Sequence, residues 1–223
     1  MEGLMHTIVL DSETDFDGWR AAARALVQNG VPPETIVWTV ADRTPELFAP
    51  SALPPCNDAP TFAVSAAFIE TARMAILHRD PARFALLYRL LWRMRTVPAI
   101  MTNPADADVI RTETMAREVR REEHKMHAFV RFREFGTGAA TRFVAWFEPT
   151  HHIVELAAPF FARRFASMAW SILTPERCAH WNGHALTFTA GATRADASSD
   201  DPLEETWRIY YASIFNPARL KVK

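Results

Sequence analysis

The sequence predicts an α+β fold: an N-terminal β-α-β unit, a helical middle, and a small antiparallel sheet with packed helices. Three observations predict it. Short apolar runs at His6–Leu10 and Ile36–Val40 flank a stretch with helical spacing. Two Asx-Pro pairs, Asp80-Pro81 and Asn103-Pro104, open periodic segments in the middle. Beyond residue 129 the apolar period falls to two and turn signals recur.

The elements follow in order. His6–Leu10 reads as a buried strand. Phe16–Asn29 carries Phe16, Trp19, Ala23, Leu26 and Val27 on one side of a helix that Gly30 terminates. Ile36–Val40 is the second strand, and a right-handed parallel crossover joins the two. Residues 41–60 are rich in proline and polar side chains and read as a linker or long loop. Ala66–His78 is helical. Asp80-Pro81 supplies a cap and a first-turn proline to a helix over Ala82–Arg95, with Leu86, Leu90 and Met94 inward. Asn103-Pro104 repeats that signal for a helix running to about Met126, whose outer positions are densely charged, Glu118 and Glu122 among them.

Phe129–Phe135 alternates and Arg142–Phe147 returns across Gly136–Gly138. A helix over His151–Met168 is expected to break or kink near Pro159. Trp170–Leu173, Arg177–Trp181 and Ala185–Thr189 are strands. Asn182-Gly183 predicts a type I′ turn between the last two. Leu203–Phe215 is a final helix. Residues 1–60 read as the β-α-β subdomain with its linker and 61–223 as the remainder, together one continuous domain.

Composition narrows the function classes. Of 223 residues, 49% are hydrophobic, with 7 Trp and 15 Phe, enough for a sizeable core. No apolar run approaches the ~20 residues that span a bilayer. The start, MEGLMHTIVLDSE, lacks the pattern of a signal peptide. No membrane partner is expected, and the chain reads as cytoplasmic. The two cysteines, Cys56 and Cys178, have no CxxC neighbour, which argues against a disulfide framework. The net charge of −1 is unevenly placed: the first 60 residues are acidic and the rest basic. Arginine suits bidentate phosphate contacts, and it also accumulates in GC-rich genomes. The bias alone therefore does not establish nucleic-acid binding.

Four motifs carry candidate chemistry. Asp11-Ser12-Glu13-Thr14-Asp15-Phe16-Asp17 lies at the end of the first strand, where its carboxylates could hold a hard cation or cap the helix. Glu123-His124-Lys125-Met126-His127 places His124 and His127 on one helical face, as ligands or as a cationic helix end. Glu148-Pro149-Thr150-His151-His152 sits at a strand-to-helix junction. Thr150 could cap there, a phosphate could sit at the helix start, or a histidine could serve as acid or base. Arg177-Cys178-Ala179-His180-Trp181-Asn182-Gly183-His184 forms a hairpin tip able to stack on a base, or an ordinary hairpin with a buried aromatic. The spacings lack a four-ligand pattern, so neither a transition metal nor a cofactor is expected.

The stretches HRDPARFALLYRLLWRM, VRREEHKMHAFVRFREF, FVAWFEPTHHIVELAAPFFARRFASMAWSILTPERCAHWNG and EETWRIYYASIFNPARLKVK, with TDFDGWRAAARALVQNGVPPETIVW near the start, resemble an uncharacterised bacterial family. Its members are described as probable DNA-metabolism or DNA-repair proteins. The resemblance implies a chain encoded beside a radical-SAM protein, or fused N-terminal to a uracil-DNA glycosylase-like domain that holds an iron–sulfur cluster. It also implies a short basic tail after ARLKVK. The glycosylase's own motifs and cluster cysteines are absent from this sequence, and no catalytic residue carries over.

The leading expectation is a DNA-binding or accessory module in repair, with Arg117, Arg120, Arg121, Lys125, Arg131 and Arg133 on phosphates and Trp181 on a base. The rival is a nucleotide- or lesion-processing enzyme using His124, His127, His151, His152 or His180. A third is a scaffold docking the glycosylase-like or radical-SAM partner. Convergence of the histidines with a carboxylate favours the enzyme.

Overall fold

The computed structural model describes residues 5–41, 52–54, 63–136 and 141–194. The class is α+β, as expected. The chain divides into two compact units, Met1–Glu122 with Thr150–His152, and Glu123–Pro149 with Ile153–Lys223.

The first unit opens with the expected β-α-β motif. Strands β1 (His6–Leu10) and β2 (Ile36–Val40) pair in parallel, His6 opposite Ile36 and Leu10 opposite Val40. Between them runs α1 (Phe16–Gln28). The acidic segment before it does its capping through Asp15, whose Oδ1 accepts the Gly18 N–H at 2.8 Å. Gly30 at φ +68° ends the helix, and the N–H of Val31 returns to the Leu26 carbonyl at 3.0 Å. Helices α2 (Ala66–Ala75) and α3 (Arg83–Arg93) follow. Their apolar faces join α1 in one core, where the rings of Trp19, Trp38 and Tyr88 stand 6.3 and 5.8 Å apart in sequence. The polar ends of these aromatics are satisfied: Trp19 Nε1 donates to the Phe84 carbonyl and the Tyr88 hydroxyl to the Val31 carbonyl.

Helix α4 (Ala107–Phe129) is displaced from its expected span of 104–126. Asn103 Oδ1 accepts the Ala105 N–H in a local turn. The helix itself is capped by Asp106, whose Oδ1 takes the N–H groups of Asp108 and Val109. Asp106 and Asp108 also pair with Arg89 and Arg93 of α3. Because α4 runs to Phe129, the strand expected over Phe129–Phe135 shortens to β3 (Arg133–Phe135).

The second unit holds a five-stranded sheet in the order β3, β4 (Arg142–Trp146), β5 (Trp170–Leu173), β6 (Arg177–Trp181), β7 (Leu186–Ala190). It is mixed rather than antiparallel. β4 and β5 are parallel because the chain returns through α5 (Val154–Arg164) instead of a hairpin. Pro159 lies inside α5 and removes one backbone donor. The β6–β7 turn is not type I′. Gly183 alone has positive φ, at +93°, and Asn182 instead accepts the N–H groups of His184 and Ala185 on its side-chain oxygen, closing a longer loop. Cys178 is buried in β6; Cys56, most of 42–62 and the expected helix Leu203–Phe215 lie outside the described residues.

Candidate functional site

The first unit gathers its acid–base groups where three segments meet: the loop after β1, the turn between α2 and α3, and the tripeptide Thr150–His152. That tripeptide lies in sequence between β4 and α5, yet it belongs to the first unit. Backbone and side chain hold it there. The His152 N–H donates to the Leu77 carbonyl at 2.9 Å, and the Thr150 N–H to Glu122 Oε1 at 3.0 Å. Glu122, expected among the outer positions of this helix, is instead buried on the inward side of α4, its carboxylate taken up by the Thr150 backbone.

Two imidazoles then stack. The rings of His78 and His151 stand 4.2 Å apart with planes 33° from parallel. His78 Nδ1 accepts the Asp80 N–H at 3.0 Å, which places its proton on Nε2. Nε2 in turn donates to Glu118 Oε2 at 2.9 Å. His151 Nδ1 accepts the Arg79 N–H at 3.3 Å, so its neutral form also carries the proton on Nε2. Burial pushes the His151 pKa down, and the neighbouring His78 adds to this, against the pull of Glu122 and Glu118. His151 is 8% exposed, whereas the Glu118 side chain is 49% exposed. The arrangement offers a reachable carboxylate that can accept a proton, oriented by one imidazole, beside a neutral imidazole that can donate a hydrogen bond.

One atom each of His78, Glu118 and His151 lies within 4.8 Å of the others, the donor types of a two-histidine, one-carboxylate metal site. The hydrogen bonds count against that use. A metal takes the lone pair of one ring nitrogen while the other donates its N–H outward. Here both δ nitrogens face backbone N–H donors, which leaves the protons on the ε nitrogens.

Beside this cluster lies a second node. Arg83, wholly buried, donates to the Ile76 carbonyl at 2.6 Å, to the Asp80 carbonyl at 3.2 Å, and to both the carbonyl and the carboxylate of Glu13. The Glu13 carboxylate stands 4.0 Å from His152 Nε2.

Of the expected site residues, His151 and His152 therefore come together, joined by Glu13 of the acidic motif, with His78, Glu118, Glu122 and Arg83 added by the fold. The other histidines lie in the second unit. His124 is exposed on α4. His127 stacks on Phe160 at 4.1 Å. His180 is wholly buried between Ser171 Oγ at 2.8 Å and Thr189 Oγ1 at 2.9 Å, and desolvation lowers its pKa to about 4. Trp181 is half-buried, its indole N–H donating to the Ala166 carbonyl at 3.0 Å. Arg117, Arg120 and Arg121 are exposed on one face of α4 in the first unit; Lys125, Arg131 and Arg133 are exposed in the second.

A family model described as a domain of unknown function, DUF4130, matches residues 81–223, well over half of the chain. The chain belongs to the DUF4130 family. The stretch matched to DUF4130 takes in Arg83, Glu118, Glu122, His151 and His152, and begins three residues after His78. No curated protein and no solved structure matches the chain. Among the described residues no helix is long and apolar enough to cross a membrane.

Proposed function

We propose that this DUF4130 chain is an acid–base enzyme acting on nucleic acid, with α4 serving both binding and chemistry. One observation carries the reading. Glu118, the proton acceptor beside His78 and His151, lies one helical turn before Arg121, whose face of α4 also carries Arg117 and Arg120, the latter paired with Glu70 at 3.5 Å. A strand whose phosphates meet those arginines passes the histidine cluster.

The chemistry follows from the hydrogen bonds. In a hydrolysis, Glu118, held by His78, takes a proton from water as its oxygen bonds to the electrophilic centre of the substrate; the bond from that centre to the leaving group breaks, and the leaving group takes its proton from solvent. The Nε2–H of His151 meets negative charge developing on the substrate, as a neutral imidazole with a lowered pKa is suited to do. The DNA-repair setting that the sequence resemblance implies fits such a substrate. A uracil-DNA glycosylase-like or radical-SAM partner would then deliver or consume it.

The test uses single- and double-stranded oligonucleotides, intact and bearing abasic or deaminated sites, incubated with the full chain and followed by mass spectrometry. Conversion should be lost in Glu118→Gln and His151→Ala while binding stays within about twofold. Conversion unchanged in both variants would refute the assignment.

A further inference from the structure

Arg83 is a residue that α3 has no packing reason to contain. It sits on the apolar side of the helix, one turn from Leu86 and Leu87, and has no solvent exposure. A buried guanidinium is tolerated only when its donors are spent. Arg83 spends them on the Ile76 and Asp80 carbonyls, which bracket the turn carrying His78, and on Glu13. Its guanidinium also lies 4.0 Å from the centre of the Phe84 ring. A leucine would fill the same space. What a leucine cannot do is fix a carboxylate, and the Glu13 carboxylate that Arg83 grips at 2.5 Å is the one that faces His152 Nε2 at 4.0 Å.

We propose that Arg83 is the positioning residue of the histidine centre, acting through Glu13 to orient and charge-couple His152 as a second acid–base pair beside His78 and His151. The pair extends the site of the proposed function and rests on that reading for its role in catalysis. Its geometry stands without it. The charged and titratable groups near His152 include Glu13, which Arg83 holds, and His151, which His152 influences electrostatically.

The sign of one measurement separates positioning from simple charge balance. If Arg83 merely neutralised Glu13, its loss would leave a stronger carboxylate and raise the proton affinity of His152. If Arg83 aims Glu13, its loss lets the carboxylate swing away and the proton affinity falls. The experiment is an NMR titration of the histidine ring protons in the full chain, without nucleic acid, so it remains readable if the DNA reading fails. Glu13→Gln keeps the shape of its partly exposed side chain and should lower the His152 midpoint by about one pH unit, about tenfold in proton affinity. The wholly buried His180 should stay in place as an internal reference. Arg83→Gln should shift His152 the same way, and the double variant no further than Glu13→Gln alone. A His152 midpoint unmoved by Glu13→Gln, or raised by Arg83→Gln, would overturn the proposal. Should Arg83→Gln fail to fold, Glu13→Asp decides in its place. Retracting the carboxylate by one methylene should reproduce part of the fall, and an unchanged midpoint there counts against the pair.

Discussion

His78 donates its Nε2 proton to Glu118 across 40 residues of sequence, at 2.9 Å. That bond ties the turn between α2 and α3 to α4. It makes an otherwise ordinary surface glutamate part of a site.

The same hydrogen bonds predict the metal content. With both δ nitrogens of the stacked pair occupied by backbone N–H groups, a neutral imidazole has no lone pair to offer at Nε2. The purified chain should carry well below one zinc per molecule by elemental analysis. About one zinc per chain, lost in His78→Ala, would mean that the rings turn over to coordinate it.

A prediction for stability versus pH comes from His180. Its folded pKa of about 4 lies below the ordinary 6.5, so between these values the unfolded chain binds the extra proton. Stability therefore falls as pH drops through that window, by about 3 kcal/mol in all. His151, lowered in the same direction, adds to the fall. Denaturant melts at pH 7, 5.5 and 4 should show the loss, and His180→Gln should flatten it. An unchanged slope in that variant would mean that other groups govern acid unfolding.

Trp181 is expected to hold the second unit together. It pairs with Leu186 and Trp170 across β5–β7 and bonds the chain just beyond α5. Trp181→Ala should cost about 2–4 kcal/mol in denaturant melts and leave DNA affinity within about twofold. Full stability with affinity reduced tenfold would instead assign it to base stacking.

Salt reads the arginines. If Arg117, Arg120 and Arg121 of the first unit and Lys125, Arg131 and Arg133 of the second each meet a phosphate, the log–log slope of affinity on salt should be near −5 for duplex DNA. Replacing Arg117, Arg120 and Arg121 with alanine should reduce its magnitude by about 3. A flat response in the parent chain would contradict phosphate binding along α4.

The helices and strands of the first unit were legible because local signals agreed, as where Asp15 caps α1 and Gly30 ends it. The caps expected from the Asx-Pro pairs were not: Asp80 takes the Ala82 N–H in a turn and α3 starts at Arg83 without a side-chain cap, and Asp106 rather than Asn103 caps α4. The mixed second sheet was not, since period-two alternation does not say whether neighbours run parallel. The Asn182-Gly183 turn misled because the Asn182 side chain takes over the backbone bonds that a two-residue turn would make. Of the site, His151 and His152 were visible as a pair and Glu13 within the acidic motif, while long sequence separation hid their meeting and the other partners. Two of those partners left a trace. Arg83 and Glu122 each fall on the apolar side of a helix, Arg83 in step with Leu86, Leu87 and Leu90, and Glu122 in step with Met115, Val119 and Met126. A charge in such a register must find a partner. Here each finds one in a distant loop.

The central claim is that nucleic acid reaches the histidine centre beside α4. The most direct measurement follows the ring-proton NMR signals of His78 and His151 while a short single-stranded DNA is added at low salt. Saturable shifts of both signals that fade as salt rises, with His180 unmoved, are the expected result. Binding that leaves His78 and His151 unshifted would contradict it.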